Sequence, residues 1–374
     1  MQKTDITIVG GGVVGLAIAN TLSQKYNDIF LVERHNSFGQ EQSSRNSEVI
    51  HASIYYSKNS LKGKLCLRGN QLMYEICSQN NIPHTNCGKL IVANSDQDEN
   101  ELPGLLETAQ ENGARGVRIV DESEISKIEP KVRARSAIYS PSSGVVDSHS
   151  LMQYFEASAI DNGANIVYGQ EVVAIEKKSD TYVVCVRDKQ GEISHFETRI
   201  LVNAAGLGAG EISEMVGIDQ DQAGYRIHWH KGVYYRVIHR LEEMPKTLIY
   251  PVPPASGSVG IHTCPDMSGG MRLGPHFYWS DELNYYVDER FREVFMEQAG
   301  SFLPDLRDEE IMPDMSGIMS AVQTPEMPMQ DFIIRHEEDR GFVGLINLVG
   351  MESPALTSSP AIAVMVMGIV EEIY

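Results

Sequence analysis

The stretch that most constrains this chain runs from Asp5 to Arg34. Ile6-Thr7-Ile8-Val9 is a short apolar, β-branched run, the pattern of a buried strand. It leads directly into Gly10-Gly11-Gly12-Val13-Val14-Gly15, which holds the spacing G-x-G-x-x-G. Leu16, Ala17, Ile18, Ala19 and Leu22 continue as an apolar helix pattern, and Ile29-Phe30-Leu31-Val32 predicts a second strand ending at Glu33. Each part has a task in binding a dinucleotide. Gly10 permits a sharp turn, Gly12 lets the backbone approach a pyrophosphate, and Gly15 lets the helix pack on the strand. The helix start offers free N–H groups and a positive dipole end to that pyrophosphate. Glu33, 18 residues after Gly15, can accept from both ribose hydroxyls, and its charge disfavours a 2′-phosphate. Glycines alone are a weak signal; strand, glycines, helix, strand and acid in register are a strong one.

The 374 residues suffice for a large core and two interleaved subdomains. A formal net charge of −20, with no basic run to offset it, argues against nucleic acid and against anionic lipid headgroups as partners. Cys66, Cys77, Cys87, Cys185 and Cys264 are scattered without a C-x-x-C, and the first two fit helical core thiols. With the glycine loop already at Gly10, no signal peptide is expected ahead of the first strand. The most apolar late stretch, Ala361 to Val370, is about half the ~20 residues a spanning helix needs. A cytoplasmic protein, at most peripheral to a membrane, is the expectation.

Past Arg34 and a polar loop comes the dense block Ser43-Ser44-Arg45-Asn46-Ser47-Glu48-Val49-Ile50-His51-Ala52-Ser53-Ile54-Tyr55-Tyr56. Adjacent serines with an arginine and an asparagine, following a dinucleotide turn, point to a second phosphate and ring-edge contact. Helices are predicted over 60–81, 99–112, from the cap Asp121 to Ile128, and over 150–162. Strands are predicted at 88–93, 137–139, 166–168 and 171–176, with 182–187 and 195–198 as a hairpin around Gln190-Gly191. Ile200 to Gly206 is a buried strand ending in small residues, against which a flat ligand can lie. Segments 232–237, 247–252, 258–262 and 271–274 alternate as strands of one largely antiparallel sheet. A helix over 288–300, a last central strand over 341–348, the run Gly350 to Thr357 and a C-terminal helix complete the pattern.

The block from Ser43 to Tyr56, together with Leu61-Lys62, Leu65-Cys66, Gly88-Lys89-Leu90-Ile91-Val92 and Gly144-Val145-Val146-Asp147, resembles the L-2-hydroxyglutarate dehydrogenase family. The likeness continues through Ala205-Gly206-Leu207, Lys231-Gly232, Ile249 to Pro253, Gly260-Ile261-His262, Leu273-Gly274-Pro275 and Glu352-Ser353-Pro354, nearly the whole chain. It implies an α/β fold in which a Rossmann-type FAD-binding domain (1–80, 147–216 and 331–374) is interleaved with an antiparallel-sheet substrate domain (81–146 and 217–330). It implies FAD, oxidation of a carbon bearing a hydroxyl beside a carboxylate, and an electron acceptor that is a quinone, another carrier or O2. On this chain Gly10, Gly12, Gly15, Glu33 and Arg34 would hold the ADP half, and Ser43, Ser44, Arg45, Asn46 and Ser47 the middle of FAD. Val172, Ala205, Gly206, Gly317, Gly350, Ser353 and Pro354 complete the cofactor set, with Ala355, Leu356 and Thr357 starting a helix at the flavin pyrimidine edge.

Three positions depart from the family. Its Gly-Ile/Val-Arg run is Gly317-Ile318-Met319 here, its glycine after His51-Ala52 is Ser53, and its late helix start carries Pro360. Methionine removes the natural bidentate partner of a substrate carboxylate.

The reaction needs a base for the hydroxyl proton as hydride leaves the α-carbon, and imidazole suits that near neutral pH. His51 is the first candidate and His262 the second; the plain alternative for each is a hydrogen-bonded core histidine. Lys231 and Arg226 are candidate cations for a carboxylate, against a solvated surface charge, and Tyr55 and Tyr250 are candidate substrate contacts, against packing. His228-Trp229-His230 lacks the third ligand a metal would need, so no metal is expected. Met312, Met315, Met319, Met327 and Met329 fit core filling. An amine or amino-acid oxidase uses the same fold and hydride step without a dedicated histidine, and a non-catalytic FAD-binding protein would need no substrate cation.

Overall fold

The computed structural model describes residues 2–253 and 259–374. The chain divides into two units: Met1–Ser44, Ser148–Trp229 and Met319–Tyr374 form one, Arg45–Asp147 and His230–Ile318 the other.

The first unit is built on an eight-stranded sheet. β1 (Gln2–Val9) lies between β2 (Ile29–Glu33) and β12 (Ile193–Asn203), parallel to both, with Ile6 opposite Ile29 and Ile200. β9 (Asn165–Tyr168) extends the sheet beyond β2. The expected strands at 195–198 and 200–206 are one element, because no glycine or proline interrupts the run from Ile193 to Asn203. The first half of β12 pairs antiparallel with β11 (Tyr182–Asp188), itself paired with β10 (Gln170–Lys177). Its second half pairs parallel with β19 (Leu345–Val349), which carries β18 (Ile333–His336) on its far edge. The last strand starts at Leu345 rather than 341, since Gly341 and Gly344 both take φ +84°.

Helix α1 (Val13–Ser23) packs on α5 (Ser148–Asp161) and on α9 (Ala355–Ile373), with Leu16, Ile18, Phe155, Ile362 and Val366 buried. At 19 residues α9 is twice the expected apolar stretch and long and apolar enough to cross a membrane, yet half of its apolar window is buried inside the fold. Pro360 fits inside it because Ser359 Oγ donates at 2.9 Å to the Leu356 carbonyl, the acceptor a proline cannot satisfy.

A buried polar network ties the chain's return to this sheet. Glu337, fully buried, accepts from Tyr225 Oη at 2.5 Å and Asn347 Nδ2 at 2.9 Å and pairs with Arg340 at 3.2 Å. Asn347 Oδ1 in turn accepts from Asn203 Nδ2 at 2.9 Å and Ser213 Oγ at 3.2 Å. Residues 217–229, expected with the substrate domain, belong here through Tyr225.

Among the described residues the second unit holds three sheets. One has the order β15 (His262–Pro265), β16 (Met271–Ser280), β13 (His228–Val237), β17 (Ile311–Ala321). Another has the order β14 (Leu248–Pro251), β5 (Lys89–Ala93), β7 (Ser136–Ser140), β6 (Arg118–Asp121), and a small one joins β3 (Val49–Ile50), β8 (Gly144–Val146) and β4 (His84–Thr85). The 247–252 strand is therefore not in the antiparallel sheet: β14 runs parallel to β5, with Leu248 opposite Lys89. The expected 258–262 strand begins only at His262, and Ser258 lies outside the described residues. Leu90, Ile249, Val233, Leu273 and Phe295 share one core.

Residues 45–80, expected in the FAD domain, belong to this unit. The reason is α2 (Leu61–Gln79), whose Asn70 Nδ2 donates at 2.9 Å to both the His51 and Ser142 carbonyls. Of the methionine run, Met312, Met327 and Met329 are exposed rather than core filling.

Replacing Glu337 with alanine strands Asn347 and the Tyr225 hydroxyl without their shared acceptor. The Glu337→Ala variant is expected to lose about 3–5 kcal/mol of stability, read as a lower urea midpoint; an unchanged midpoint would refute the network's role.

Candidate active site

The turn after β1 has no room for side chains. Gly10 sits at φ +111°, and a Cβ there would lie 2.4 Å from the Ala204 carbonyl oxygen. A Cβ on Gly15 would lie 2.0 Å from the Gly10 carbonyl oxygen, so α1 abuts the turn directly. Gly12 gives α1 no side-chain cap and no acid sits in its first turn, which leaves the positive helix end to an outside anion. Ser43 Oγ accepts from Val13 N–H at 3.0 Å. Buried Glu33 accepts one bond per oxygen, from Gly11 N–H and His35 N–H, both at 2.7 Å. Each oxygen keeps a lone pair for a ribose hydroxyl, and the acid also braces the glycine loop. Cradle, open helix end and acid together fit a dinucleotide.

The rest of the expected cofactor set is spread over both units. Arg34 is ion-paired with Glu41, and Ser44 Oγ donates to the Glu41 carbonyl at 3.3 Å. Gln42, not foreseen, links its own loop to Ser320 N–H at 3.0 Å and to the Met351 carbonyl at 2.8 Å. Val172 is buried in β10, Ala205 and Gly206 follow β12, and Gly350 at φ +71° follows β19. Ser353 and Pro354 lead into α9, whose first turn holds Ala355, Leu356 and fully buried Thr357. In the second unit the Arg45 guanidinium lies 4.2 Å from the Tyr285 ring centre, and its Nε has no hydrogen-bond partner among the described residues. Asn46 Oδ1 accepts from Glu48 N–H at 2.7 Å, Ser47 Oγ lies 2.9 Å from Tyr234 Oη, and Gly317 packs on the Arg45 carbonyl.

The second unit also gathers a polar cluster around Tyr250. The ring of His262, 2% exposed, stacks on Tyr250 with centroids 3.7 Å apart and planes 10° apart. His262 opens β15 rather than ending a strand, with Nδ1 at 3.2 Å from the Thr263 carbonyl and 3.3 Å from Cys264 Sγ. An Nδ1 proton donated to that carbonyl leaves Nε2 with the lone pair. Lys89, 1% exposed at the head of β5, places Nζ 3.8 Å from the Tyr250 ring centre and 5.6 Å from that of Tyr55. The Tyr55 hydroxyl is buried without a hydrogen-bond partner among the described residues.

Burial sets the protonation states. It pushes His262 down to about 3 and, with Lys89 and His262 nearby, holds His51 well below the usual histidine range. Both imidazoles are therefore neutral near pH 7 and able to accept a proton. Burial also brings Lys89 down to about 7 and lifts the Tyr55 and Tyr250 phenols above their ordinary range.

Two expected substrate cations are engaged elsewhere. Lys231, buried on β13, donates at 2.7 Å to Asn284 Oδ1 and at 2.7 Å to the Tyr286 carbonyl. Arg226, in the first unit, is exposed and ion-paired with Asp221. Met319 is half-buried near the end of β17, and His230 stacks on Phe277 and Trp279.

A family model described as FAD dependent oxidoreductase matches residues 5–367. The chain belongs to that family. FAD is its cofactor and it is an oxidoreductase. Similar proteins include L-2-hydroxyglutarate dehydrogenase, mitochondrial, of Arabidopsis thaliana, 34% identical over 97% of this chain and 82% of that one. The Homo sapiens protein of the same name is 29% identical over 98% and 89%, and L-2-hydroxyglutarate dehydrogenase of Indibacter alkaliphilus 26% over 96% of each. The fold is shared with L-α-glycerophosphate oxidase of Mycoplasma pneumoniae, solved with FAD bound (TM-score 0.87, 24% identity, 99% of this chain and 95% of that one). It is shared too with glycine oxidase of Geobacillus kaustophilus (TM-score 0.81, 20% identity, 100% and 96%). The plant and human relatives are named mitochondrial, so these likenesses do not carry the expectation of a cytoplasmic protein.

In this FAD dependent oxidoreductase the residue that sequence reasoning passed over is Lys89. Its one signal is a lysine at the head of Leu90-Ile91-Val92-Ala93, a strand buried along its whole length. For the cofactor site, the Glu33→Ala variant is expected to fold but to bind FAD roughly ten- to a hundredfold more weakly, as suits the loss of charge-assisted bonds. Equilibrium dialysis of FAD checks this; wild-type affinity would refute it.

Proposed function

We propose that this oxidoreductase converts L-2-hydroxyglutarate, or a closely similar 2-hydroxy diacid, to the 2-oxo acid. The observation that carries the reading is a cluster within the second unit of the His51 and His262 imidazoles, both neutral, the buried Lys89 amine and a Tyr55 hydroxyl that lacks a hydrogen-bond partner among the described residues. The names of the relatives support the same substrate. FAD, once held by the glycine turn and Glu33, would supply the acceptor for the hydride that leaves the α-carbon. His51 takes the hydroxyl proton as general base; its suppressed basicity keeps it unprotonated in the free site. His262, held by the Thr263 carbonyl and stacked on Tyr250, keeps Nε2 as an acceptor beside it. Tyr55 donates its unused hydroxyl to the substrate. Reoxidation needs an acceptor, and the dehydrogenase names of the relatives support a quinone or other carrier over O2.

An anaerobic panel of 2-hydroxy and 2-amino acids tests the reading through loss of flavin absorbance. L-2-hydroxyglutarate is expected to bleach the protein, and the His51→Ala variant to retain FAD but bleach ~10²–10⁴-fold more slowly. Bleaching by amino acids alone would favour an amine oxidase. Bleaching by dithionite and by no substrate would favour a non-catalytic FAD protein. A slow His262→Ala variant beside an unaffected His51→Ala would move the base to His262.

A further inference from the structure

We propose that Lys89 is the cation that receives a substrate carboxylate. The proposal rests on the reading that the substrate is a hydroxy diacid.

Lys89 has no carboxylate, carbonyl or hydroxyl partner for Nζ among the described residues; its neighbours there are the faces of Tyr250 and Tyr55. A buried amine in that state is costly, and a bound carboxylate would offset that cost. The Tyr55 hydroxyl in the same cluster likewise lacks a hydrogen-bond partner among the described residues. Two donors without acceptors call for a ligand rich in acceptors, and a carboxylate offers about four lone-pair sites to them. The neutral imidazoles of His51 and His262 cannot supply the positive charge. Two other cations of the second unit are committed: Lys231 to Asn284 and the Tyr286 carbonyl, Arg272 to Asp314 at 2.5 Å.

Binding should therefore be coupled to a proton. The ionisable groups that act on Lys89 are Cys66 on α2, Cys87 ahead of β5, and Cys264 on β15, and Lys89 acts in turn on His51 and His262. Tyr55 and Tyr250 face it as ring contacts. Burial raises the thiols, to about 12 for Cys66 and Cys264, and the phenols further, so all of these groups stay neutral from pH 6 to pH 8. Over that window Lys89 alone in the cluster changes charge, and a bound carboxylate favours its protonated form.

The test uses the FAD-loaded full chain and glutarate, a diacid without the hydroxyl to be oxidised. Affinity is read from the flavin absorbance change and proton uptake from calorimetry in buffers of different ionisation enthalpy. Wild type is expected to take up close to one proton per glutarate at pH 8 and far less at pH 6. Lys89→Met should weaken glutarate roughly 10- to 100-fold and abolish the uptake, with a melting temperature no lower than wild type; Lys89→Arg should recover affinity without the uptake. Wild-type affinity in Lys89→Met, uptake independent of pH, or no glutarate binding to wild type would each overturn the assignment. If Lys89→Met does not fold, the pH dependence of uptake in wild type decides. Failure of L-2-hydroxyglutarate to bleach a protein that still binds glutarate through Lys89 would refute the substrate and leave Lys89 as a carboxylate site.

Discussion

Contact between the α-carbon side of Gly15 and the Gly10 carbonyl is the constraint on which the first unit depends. A single methyl at Gly15 would stand 2.0 Å from that oxygen, so the helix can close on the turn only without one. That approach sets α1 against β1, points the uncapped helix end outward, and puts Glu33 at the end of β2 within 2.7 Å of Gly11 N–H. Strands laid parallel on either side of β1 then carry their C-terminal ends to the same edge of the sheet, the edge where an α/β fold binds a nucleotide. The family assignment and the geometry agree on FAD.

The second unit solves a different problem. It removes His262, Lys89 and Tyr250 from water, and among the described residues Lys89 gains no ion pair in exchange. Desolvation keeps both imidazoles unprotonated and brings the lysine down to about 7, the states that the proposed roles of base and carboxylate cation need. Stacking of His262 on Tyr250 and the bond to Thr263 fix one imidazole's orientation, while the surrounding apolar core keeps water away.

What was legible in the sequence was what local rules determine. The glycine turn, the Glu33 acid, the helix caps at Ser60 and Asp121 and the β-branched strands all announce themselves within a few residues. Long-range pairing did not: nothing near Leu248 says that β14 runs parallel to β5 rather than joining the antiparallel sheet. The Glu337 network joins residues more than a hundred positions apart, and its members look like ordinary surface polar residues when read singly. Lys89 and Lys231 are both buried lysines on strands, and only their partners tell them apart. Arg226 read as a substrate cation because charge is visible in a sequence and its Asp221 partner's geometry is not.

The central claim is that the second unit's cluster takes a proton from a hydroxyl while hydride leaves the adjacent carbon. The most direct measurement is the anaerobic rate of flavin reduction by L-2-hydroxyglutarate carrying deuterium at carbon 2, compared with the ordinary substrate. Slower reduction by the deuterated acid is the predicted result, because that carbon–hydrogen bond breaks in the step. Equal rates, under conditions where reduction itself limits the observed change, would contradict it.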